Sequence, residues 1–216
     1  MKKTICILSG GMDSTTLLYK LLDEGRDVEA LSFNYGQRHK LELEKAAKTC
    51  KKLEVPHKIV DISFLKELLS NSALTGDIDV PEGHYADETM KLTVVPNRNM
   101  IMASIAIGYA VNRDFDSVAI GVHAGDHAIY PDCREEFIKA LNEVSLIANY
   151  KPITIEAPFL TMDKGDIAIL GKDLAVDYSS TLTCYKGQEK PCGRCGACVE
   201  RKEAFEKAEE GDPLAI

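Results

Sequence analysis

Short, unbroken apolar runs alternate along the chain with longer segments in which apolar residues recur at helical spacing. The apolar runs predict strands buried on both faces, and they are residues 4–8, 28–33, 57–62, 117–122 and 153–157. In residues 13–25 the pattern becomes helical, because Leu17, Leu18 and Leu21 share one face. The other predicted helices are residues 38–53, 64–69, 99–111, 134–148, 163–174 and 199–208.

This alternation of strands and helices predicts an α/β fold: an open, mostly parallel sheet with right-handed crossovers and helices on both faces. In such sheets ligands bind beyond the carboxyl ends of the strands. We expect residues 1–180 to form a catalytic domain. Residues 181–216, which carry most of the cysteines, would then form a small metal-binding C-terminal region with a terminal helix.

The segment of residues 71–94 breaks the alternation. It is long and acidic, and Gly76, Pro81 and Gly83 interrupt it, so it predicts a loop. Long loops inside compact domains are more often functional than decorative. We therefore hypothesise that this segment closes over a bound substrate.

Composition narrows the class of protein. The 216 residues are 45% hydrophobic and 28% charged, which is typical of a globular protein with one main core. The formal net charge of −8 argues against a nonspecific nucleic-acid binder, so we expect no nucleic-acid partner. The apolar stretch after the two N-terminal lysines is too short for a signal peptide, and none is long enough for a membrane helix. We expect a cytoplasmic protein with no membrane partner.

The sequence SGGMDS, residues 9–14, follows the first predicted strand. Its two glycines let the backbone approach a ligand, and the N–H groups at the start of the next helix favour an anion. The hydroxyls of Ser9 and Ser14 can add hydrogen bonds to phosphate oxygens. Asp13 would either orient a Mg²⁺ ion or cap the helix. No lysine follows the second glycine, so this is not a Walker A loop.

SGGMDS after an N-terminal strand resembles the loop of the PP-loop ATP pyrophosphatases, whose fold is the adenine-nucleotide α-hydrolase-like type. The resemblance implies that ATP is a co-substrate and that a substrate oxygen attacks its α-phosphorus, which releases pyrophosphate. The loop would hold that pyrophosphate, and the residues implied are Leu8, Ser9, Gly10, Gly11, Met12, Asp13, Ser14 and Thr15. Because the superfamily acts on many substrates, the loop predicts the chemistry and not the substrate.

Four of the seven cysteines form a cluster, Cys184, Cys192, Cys195 and Cys198. Without an export signal such crowding suggests a metal site rather than disulfides. Four thiolates complete a tetrahedral zinc site with no open position, so we expect one structural Zn²⁺ per chain. An iron–sulfur cluster would use the same ligands and is the alternative.

The loop and the cysteine cluster together resemble the family of 7-cyano-7-deazaguanine synthases. The matching pieces, in family order, are residues 9–14, 35–39, 95–99, 121–123 and 130–134, Lys164, and the segment from Cys184 to Cys198. The resemblance implies that 7-carboxy-7-deazaguanine and ammonium are converted with ATP to the nitrile, in queuosine biosynthesis. It also implies a homodimer. A PP-loop sulfur transferase that thiolates tRNA is the alternative function.

The resemblance also assigns roles to individual residues. Asp13, Arg98 and Lys164 would be catalytic, with Lys164 reaching the ATP phosphates and Phe33 and Tyr35 bordering the adenine. The residues expected to face the substrate are Gln37, Arg38, Arg98, His123, Asp132 and Arg134. Alternatives remain: Lys164 as a surface lysine, Arg98 as part of a helix-capping cluster, and Cys133 as either a packed thiol or a nucleophile.

Overall fold

The strands form one parallel sheet. The computed structural model describes residues 1–37, 40–76, 78–83, 88–188 and 190–214. In this part of the chain the strands are β1 (Lys3–Ile7), β2 (Asp27–Asn34), β3 (His57–Asp61), β4 (Ser117–Ala119) and β5 (Thr154–Glu156). Their order across the sheet is β3-β2-β1-β4-β5, and every pairing is parallel. The five predicted strands and the parallel sheet are confirmed.

The α-helices of the described residues are α1 (Met12–Asp23), α2 (Leu41–Lys52), α3 (Leu65–Leu68), α4 (Arg98–Asn112), α5 (Glu135–Ile147), α6 (Lys164–Asp173) and α7 (Gly196–Lys207). Short 3-10 helices span Glu88–Thr93, Ala124–Ala128, Pro131–Cys133 and Tyr178–Ser180. None of these helices is long and apolar enough to cross a membrane, as far as the described residues go.

The two faces of the sheet carry separate cores because successive strand residues point in opposite directions. Ile5 of β1 packs into a cluster with residues of α4 and α5, whereas its neighbour Cys6 packs with residues of α1, α2 and α6. Leu31 and Ala30 of β2 divide in the same way. Both faces are therefore covered by helices, as a doubly wound sheet requires.

The strand order places a switch point between β1 and β4, since the chain crosses to one side of β1 first and to the other side later. The SGGMDS loop leaves the carboxyl end of β1 at this point. Strand β4 ends at Ala119, three residues earlier than predicted, so Gly121 and Val122 lie beyond the sheet edge. A Cβ on Gly121 would be 3.3 Å from the Cα of Ser14, so the two neighbouring loops are in close contact.

The C-terminal region packs directly against the sheet domain. Helix α7 begins at Gly196, inside the cysteine cluster and three residues earlier than predicted. The backbone N–H of Leu182 donates to the carbonyl of Gly10 at 3.0 Å. Arg201, 2% exposed, anchors this contact from α7 by donating to the carbonyl of Tyr178, to the hydroxyls of Thr181 and Thr183, and to Asp212.

The segment of residues 71–94 is only partly loop. It ends in the 3-10 helix Glu88–Thr93, and Ala73 and Val80 pack in one apolar cluster with the cysteines of the C-terminal region. Glu82 forms an isolated antiparallel bridge with Cys195. Residues 77 and 84–87 lie outside the described part of the chain, and closure of this segment over substrate stays a hypothesis.

Candidate functional site

The backbone of the SGGMDS loop requires a glycine at position 10. Gly10 has φ +88°, and a Cβ there would lie 2.1 Å from the carbonyl oxygen of Glu42. The two serines fix the rest of the loop. Ser9 and Ser14 hydroxyls are 2.9 Å apart, the Ser9 N–H donates to the Ser14 hydroxyl, and the Gly11 N–H donates to the Ser9 hydroxyl. The start of α1 is thus held in one conformation with its N-terminal dipole at the cavity.

A cluster of charges lies beside this loop. Lys164, the first residue of α6, is 7% exposed, and its Nζ is 2.6 Å from Oε2 of Glu200 and 3.4 Å from Oδ2 of Asp13. Burial lowers the pKa of Lys164, but the carboxylates of Asp13, Glu200 and Asp126 outweigh it and raise the pKa well above its usual range. Lys164 is therefore a buried cation at the loop and not a surface lysine.

Asp13 has a carboxylate oxygen that suits a metal ion. Its Oδ2 faces Lys164 and the Nε2 of His123, the latter at 3.9 Å. Its Oδ1 is buried and has no hydrogen-bond partner among the described residues. A buried, unpartnered carboxylate oxygen is costly in a protein unless it has a ligand, and oxygen ligands are those that Mg²⁺ prefers.

A cavity with a volume of about 220 Å³ opens at the carboxyl ends of the strands. Of the residues predicted to bind ATP or substrate, those that line it are Leu8, Ser9, Gly11, Met12, Asp13, Ser14, Phe33, Tyr35, Gln37, Arg98 and Lys164. Those that do not line it are Gly10, Thr15, His123, Asp132 and Arg134. Arg38 lies outside the described residues.

Several lining residues were not predicted as site residues. They include Glu42, Asn99, Asp126, Tyr130, Thr183 and Tyr185. Thr183 and Tyr185 come from the C-terminal region, so that region forms part of the cavity wall. Their position depends on contacts between distant parts of the chain, which the hydrophobic periodicity of the sequence cannot predict.

The cavity is also lined by two groups that carry opposite charges when ionised, Glu42 and Arg98. Burial raises the pKa of Glu42 to about 7; the positive charge of Arg98 opposes this rise and Cys184 adds to it. Arg98 lies over the ring of Tyr35, with 5.9 Å between the guanidinium carbon and the ring centroid. Burial alone would lower the pKa of Arg98, but Tyr35, Cys133 and Asp132 raise it far above its usual range, so the guanidinium is always charged.

Three predicted substrate residues have structural partners. Asp132 accepts from the backbone N–H of Asn99 at 2.9 Å and so holds the start of α4. The Nε of Arg134 donates to the carbonyl of His127 at 2.8 Å. His123, 1% exposed, accepts from the backbone N–H of Gly125 and caps the 3-10 helix Ala124–Ala128. These side chains support the walls of the cavity without lining it.

Cys133 lines the cavity as a neutral thiol. Its sulfur accepts a hydrogen bond from the side-chain amide of Asn99 at 3.2 Å. Burial, together with the charges of Asp126 and Asp132, raises the pKa of Cys133 far above its usual range. Since the thiolate is the nucleophilic form, this environment favours the packed thiol over a covalent role.

The four clustered cysteines form a compact set of sulfurs that fits a metal ion. Their Sγ atoms all lie within 4.8 Å of one another. The backbone N–H of Cys192 donates to the sulfur of Cys184, and that of Cys195 donates to the sulfur of Cys192, as in tight metal-binding knuckles. Four sulfurs at ~2.3 Å from one ion would leave no open position, so the site is suited to structure rather than catalysis.

Comparison with known proteins shows which family the chain belongs to. The profile of a family described as queuosine biosynthesis protein QueC matches residues 3–209. A 7-cyano-7-deazaguanine synthase from Pseudoalteromonas atlantica is 56% identical over 214 residues, which cover 99% of this chain and 98% of that protein. Another from Marinobacter nauticus is 57% identical over 211 residues, which cover 98% and 96% respectively.

Among solved structures, the U34-tRNA thiolase NcsA from Methanococcus maripaludis, with its 4Fe-4S cluster, superposes with a TM-score of 0.51 at 20% identity. The match covers 95% of this chain and 64% of the thiolase. At this identity the likeness concerns the fold alone. The family profile and the two relatives cover nearly the whole chain, and on that basis it belongs to the QueC family of queuosine biosynthesis proteins.

Proposed function

We propose that the protein is an ATP-dependent synthase that converts 7-carboxy-7-deazaguanine and ammonia to 7-cyano-7-deazaguanine. The observation that carries this proposal is a cavity lined both by the PP-loop with Lys164 and by Arg98 with Glu42. The ammonium group of Lys164 suits the phosphates of ATP. Arg98 and Glu42 suit a molecule that bears both an anionic group and N–H donors.

The reaction has two similar halves. A carboxylate oxygen of the substrate attacks the α-phosphorus of ATP and pyrophosphate leaves, which gives an acyl adenylate. Ammonia then displaces AMP and loses a proton, and the product is the amide. The amide oxygen attacks a second ATP in the same way, and loss of AMP together with both N–H protons leaves the nitrile. One ATP site serves both halves, because in each half an oxygen atom leaves the same substrate carbon as part of AMP.

Arg98 and Glu42 divide the recognition of the substrate between them. The guanidinium fork of Arg98 suits the carboxylate that is to be adenylated. The carboxylate of Glu42 suits the ring N–H and exocyclic amine of a deazaguanine, since both are donors. Asp132, which the resemblance predicts to face the substrate, does not line the cavity, whereas Glu42 does and interacts electrostatically with Arg98.

Lys164 and Asp13 act on the phosphates. Lys164 would stabilise the negative charge that develops on the leaving pyrophosphate. The unpartnered Oδ1 of Asp13 would hold a Mg²⁺ ion, which would supply charge neutralisation on the triphosphate. The four cysteines would hold one Zn²⁺ ion with a structural role. The ammonia would come from free ammonium.

A homodimer is part of this proposal. Helix α5 carries an apolar patch next to the following turn: Val144 is 58% exposed, Ile147 is 84% exposed and Tyr150 is fully exposed. Exposed apolar patches of this kind often mark contacts between proteins, and we propose a second copy as the occupant. Analytical ultracentrifugation of the wild type and of Ile147→Glu tests it. A monomeric wild type would contradict the dimer.

One incubation tests the reaction. The metal-replete protein is mixed with Mg-ATP, ammonium and 7-carboxy-7-deazaguanine, and mass spectrometry follows the acid, amide and nitrile. We expect the nitrile together with AMP and pyrophosphate. Absence of nitrile would refute the proposal, and ADP with phosphate would refute adenylation while leaving the substrate intact.

The alternative, a sulfur transferase that thiolates tRNA, has less support. Such enzymes generally need catalytic thiols, whereas the Cys133 thiol at the cavity is held neutral and four other cysteines belong to one cluster that suits a closed metal site. The net charge of −8 also disfavours binding of a nucleic acid. A thiolated tRNA formed in the presence of a sulfur donor would support this alternative.

A further inference from the structure

Glu200 on α7 holds the ammonium group of Lys164. The Nζ to Oε2 distance is 2.6 Å, shorter than the 3.4 Å that separates Nζ from Asp13. Both side chains are largely buried, at 7% exposed for Lys164 and 12% for Glu200. A charge-assisted hydrogen bond in such surroundings is among the stronger polar contacts in a protein.

The position of Glu200 is fixed from several sides. Helix α7 starts directly after Cys195 and includes Cys198, so its first turns belong to the cysteine cluster. Arg201, the next residue, is tied to Asp212 and to the segment that contacts Gly10. The carboxylate itself lies against Gly125, where a Cβ would be 2.9 Å from Oε1. Glu200 is therefore a stationary acceptor.

Lysine has a long and flexible side chain, so a phosphate-binding lysine benefits from being placed in advance. The ammonium group has three N–H donors. It can keep Glu200 while a phosphate oxygen of ATP takes the position that Asp13 occupies. This would free Asp13 to face a Mg²⁺ ion.

We propose that Glu200 is a positioning residue that holds Lys164 at the PP-loop for the phosphates of ATP. The proposal rests on the proposed function only in taking ATP as the ligand of the loop. It links the C-terminal region to the ATP site, because Glu200 belongs to the helix that begins in the cysteine cluster. In the opposite role Glu200 would sequester Lys164, and its removal would tighten ATP binding.

Isothermal titration with Mg-ATP, without deazaguanine or ammonium, separates these roles. The variants are Glu200→Gln, which keeps the shape and removes the charge, and Glu200→Asp, which keeps the charge. Glu206→Gln is the matched control, since Glu206 lies on the same helix, is 64% exposed and pairs only loosely with Lys202 at 3.7 Å. Bound metal and the thermal midpoint are measured for each protein.

We expect Glu200→Gln to raise the Kd for ATP at least tenfold with metal content unchanged, Glu200→Asp to be intermediate, and Glu206→Gln to match the wild type. In turnover, the KM for ATP should rise more than the KM for the deazaguanine. A Kd for Glu200→Gln within twofold of the wild type, or below it, would overturn the positioning role alone. Wild-type protein that binds no ATP would overturn both proposals.

Discussion

At the scale of single residues, the backbone of Gly10 is the most constrained feature of the site. Its φ of +88° disfavours any residue with a Cβ, and the added carbon would meet the carbonyl of Glu42 at 2.1 Å. We expect Gly10→Ala to destabilise the protein by about 2–4 kcal/mol and to abolish ATP binding, because the loop must move away from α2. Urea unfolding and ATP titration measure the two effects.

Gly11 provides the matched control for that variant. Its φ is not positive, and the nearest atom to an added Cβ is the hydroxyl of Ser9 at 3.3 Å. Gly11→Ala should therefore lose less than about 1 kcal/mol of stability. Equal losses for the two variants would contradict the role given to the Gly10 backbone.

Glu42 makes stability depend on pH in a defined direction. Its folded-state pKa, raised by burial to about 7, lies above the value near 4.3 of an unfolded chain. The folded protein therefore binds a proton between these values, and the stabilisation is complete below about 4.3 and lost as the pH rises through 7.

Glu42→Gln keeps a neutral side chain at every pH, so its stability relative to the wild type should increase between pH 5 and pH 8. The expected change is about 1–3 kcal/mol, reduced from the full linkage value by solvent in the cavity. Urea unfolding of both proteins at four pH values provides the measurement. A difference that does not vary with pH would show that Glu42 is ionised normally.

Individual site residues differ in how far the sequence could predict them. Asp13 and Lys164 were predicted from the loop and from the family resemblance, and the structure brings them together. Glu42 and Glu200 lie on helices without any motif, and they reach the site through contacts with residues far away in the chain. Such pairs cannot be obtained from periodicity or local spacing.

At the scale of elements, two helix glycines have opposite surroundings. Gly171 of α6 lies against the ring of Tyr178, and an added Cβ would be 1.7 Å from its hydroxyl oxygen. That ring cannot move easily, since its hydroxyl is 2.7 Å from Thr16 and its edge packs on Phe205. Gly171→Ala should destabilise the protein by about 1–3 kcal/mol.

Gly108 of α4 is the contrasting case, because among the described residues no atom beyond its chain neighbours and its own helix backbone lies within 4 Å of an added Cβ. Alanine in an exposed helix interior is favoured over glycine, so Gly108→Ala should stabilise the protein by about 0.5–1 kcal/mol. Thermal unfolding of both variants gives the comparison. A stabilised Gly171→Ala protein would mean that Tyr178 is free to rearrange.

The elements themselves were largely predictable because their signals are local. Unbroken apolar runs predicted all five strands, and helical spacing predicted the helices between them. The errors occur at ends that tertiary contacts decide. The residues predicted to end strand β4 line the cavity instead of continuing the strand. Helix α7 starts early because the cysteine cluster continues into its first turn.

At the scale of the whole molecule, the C-terminal region is a structural part of the proposed ATP site. It contributes cavity-lining residues such as Thr183 and Tyr185, and it contacts the PP-loop through Leu182. Residues on both sides of the expected division at residue 180 thus line the cavity, and that division stays a prediction. Loss of the region should remove one wall of the cavity.

Arg201 ties α7 to residues 178–183, which contact the PP-loop through Leu182, and replacing it tests how strongly the fold depends on these bonds. Arg201→Met keeps an apolar stem of similar length but removes the ion pair with Asp212, while the carbonyl of Tyr178 keeps its hydrogen bonds from Thr181. Breaking a buried ion pair in this way should cost about 3–5 kcal/mol in urea unfolding of the metal-replete protein. Asp212→Asn should cost less, since Arg201 retains Thr181 and Tyr178, and the double variant should be less destabilised than the sum of the two. If Arg201→Met unfolds within about 0.5 kcal/mol of the wild type, the usual range for a surface substitution, the bonds of Arg201 contribute little to the stability of the protein.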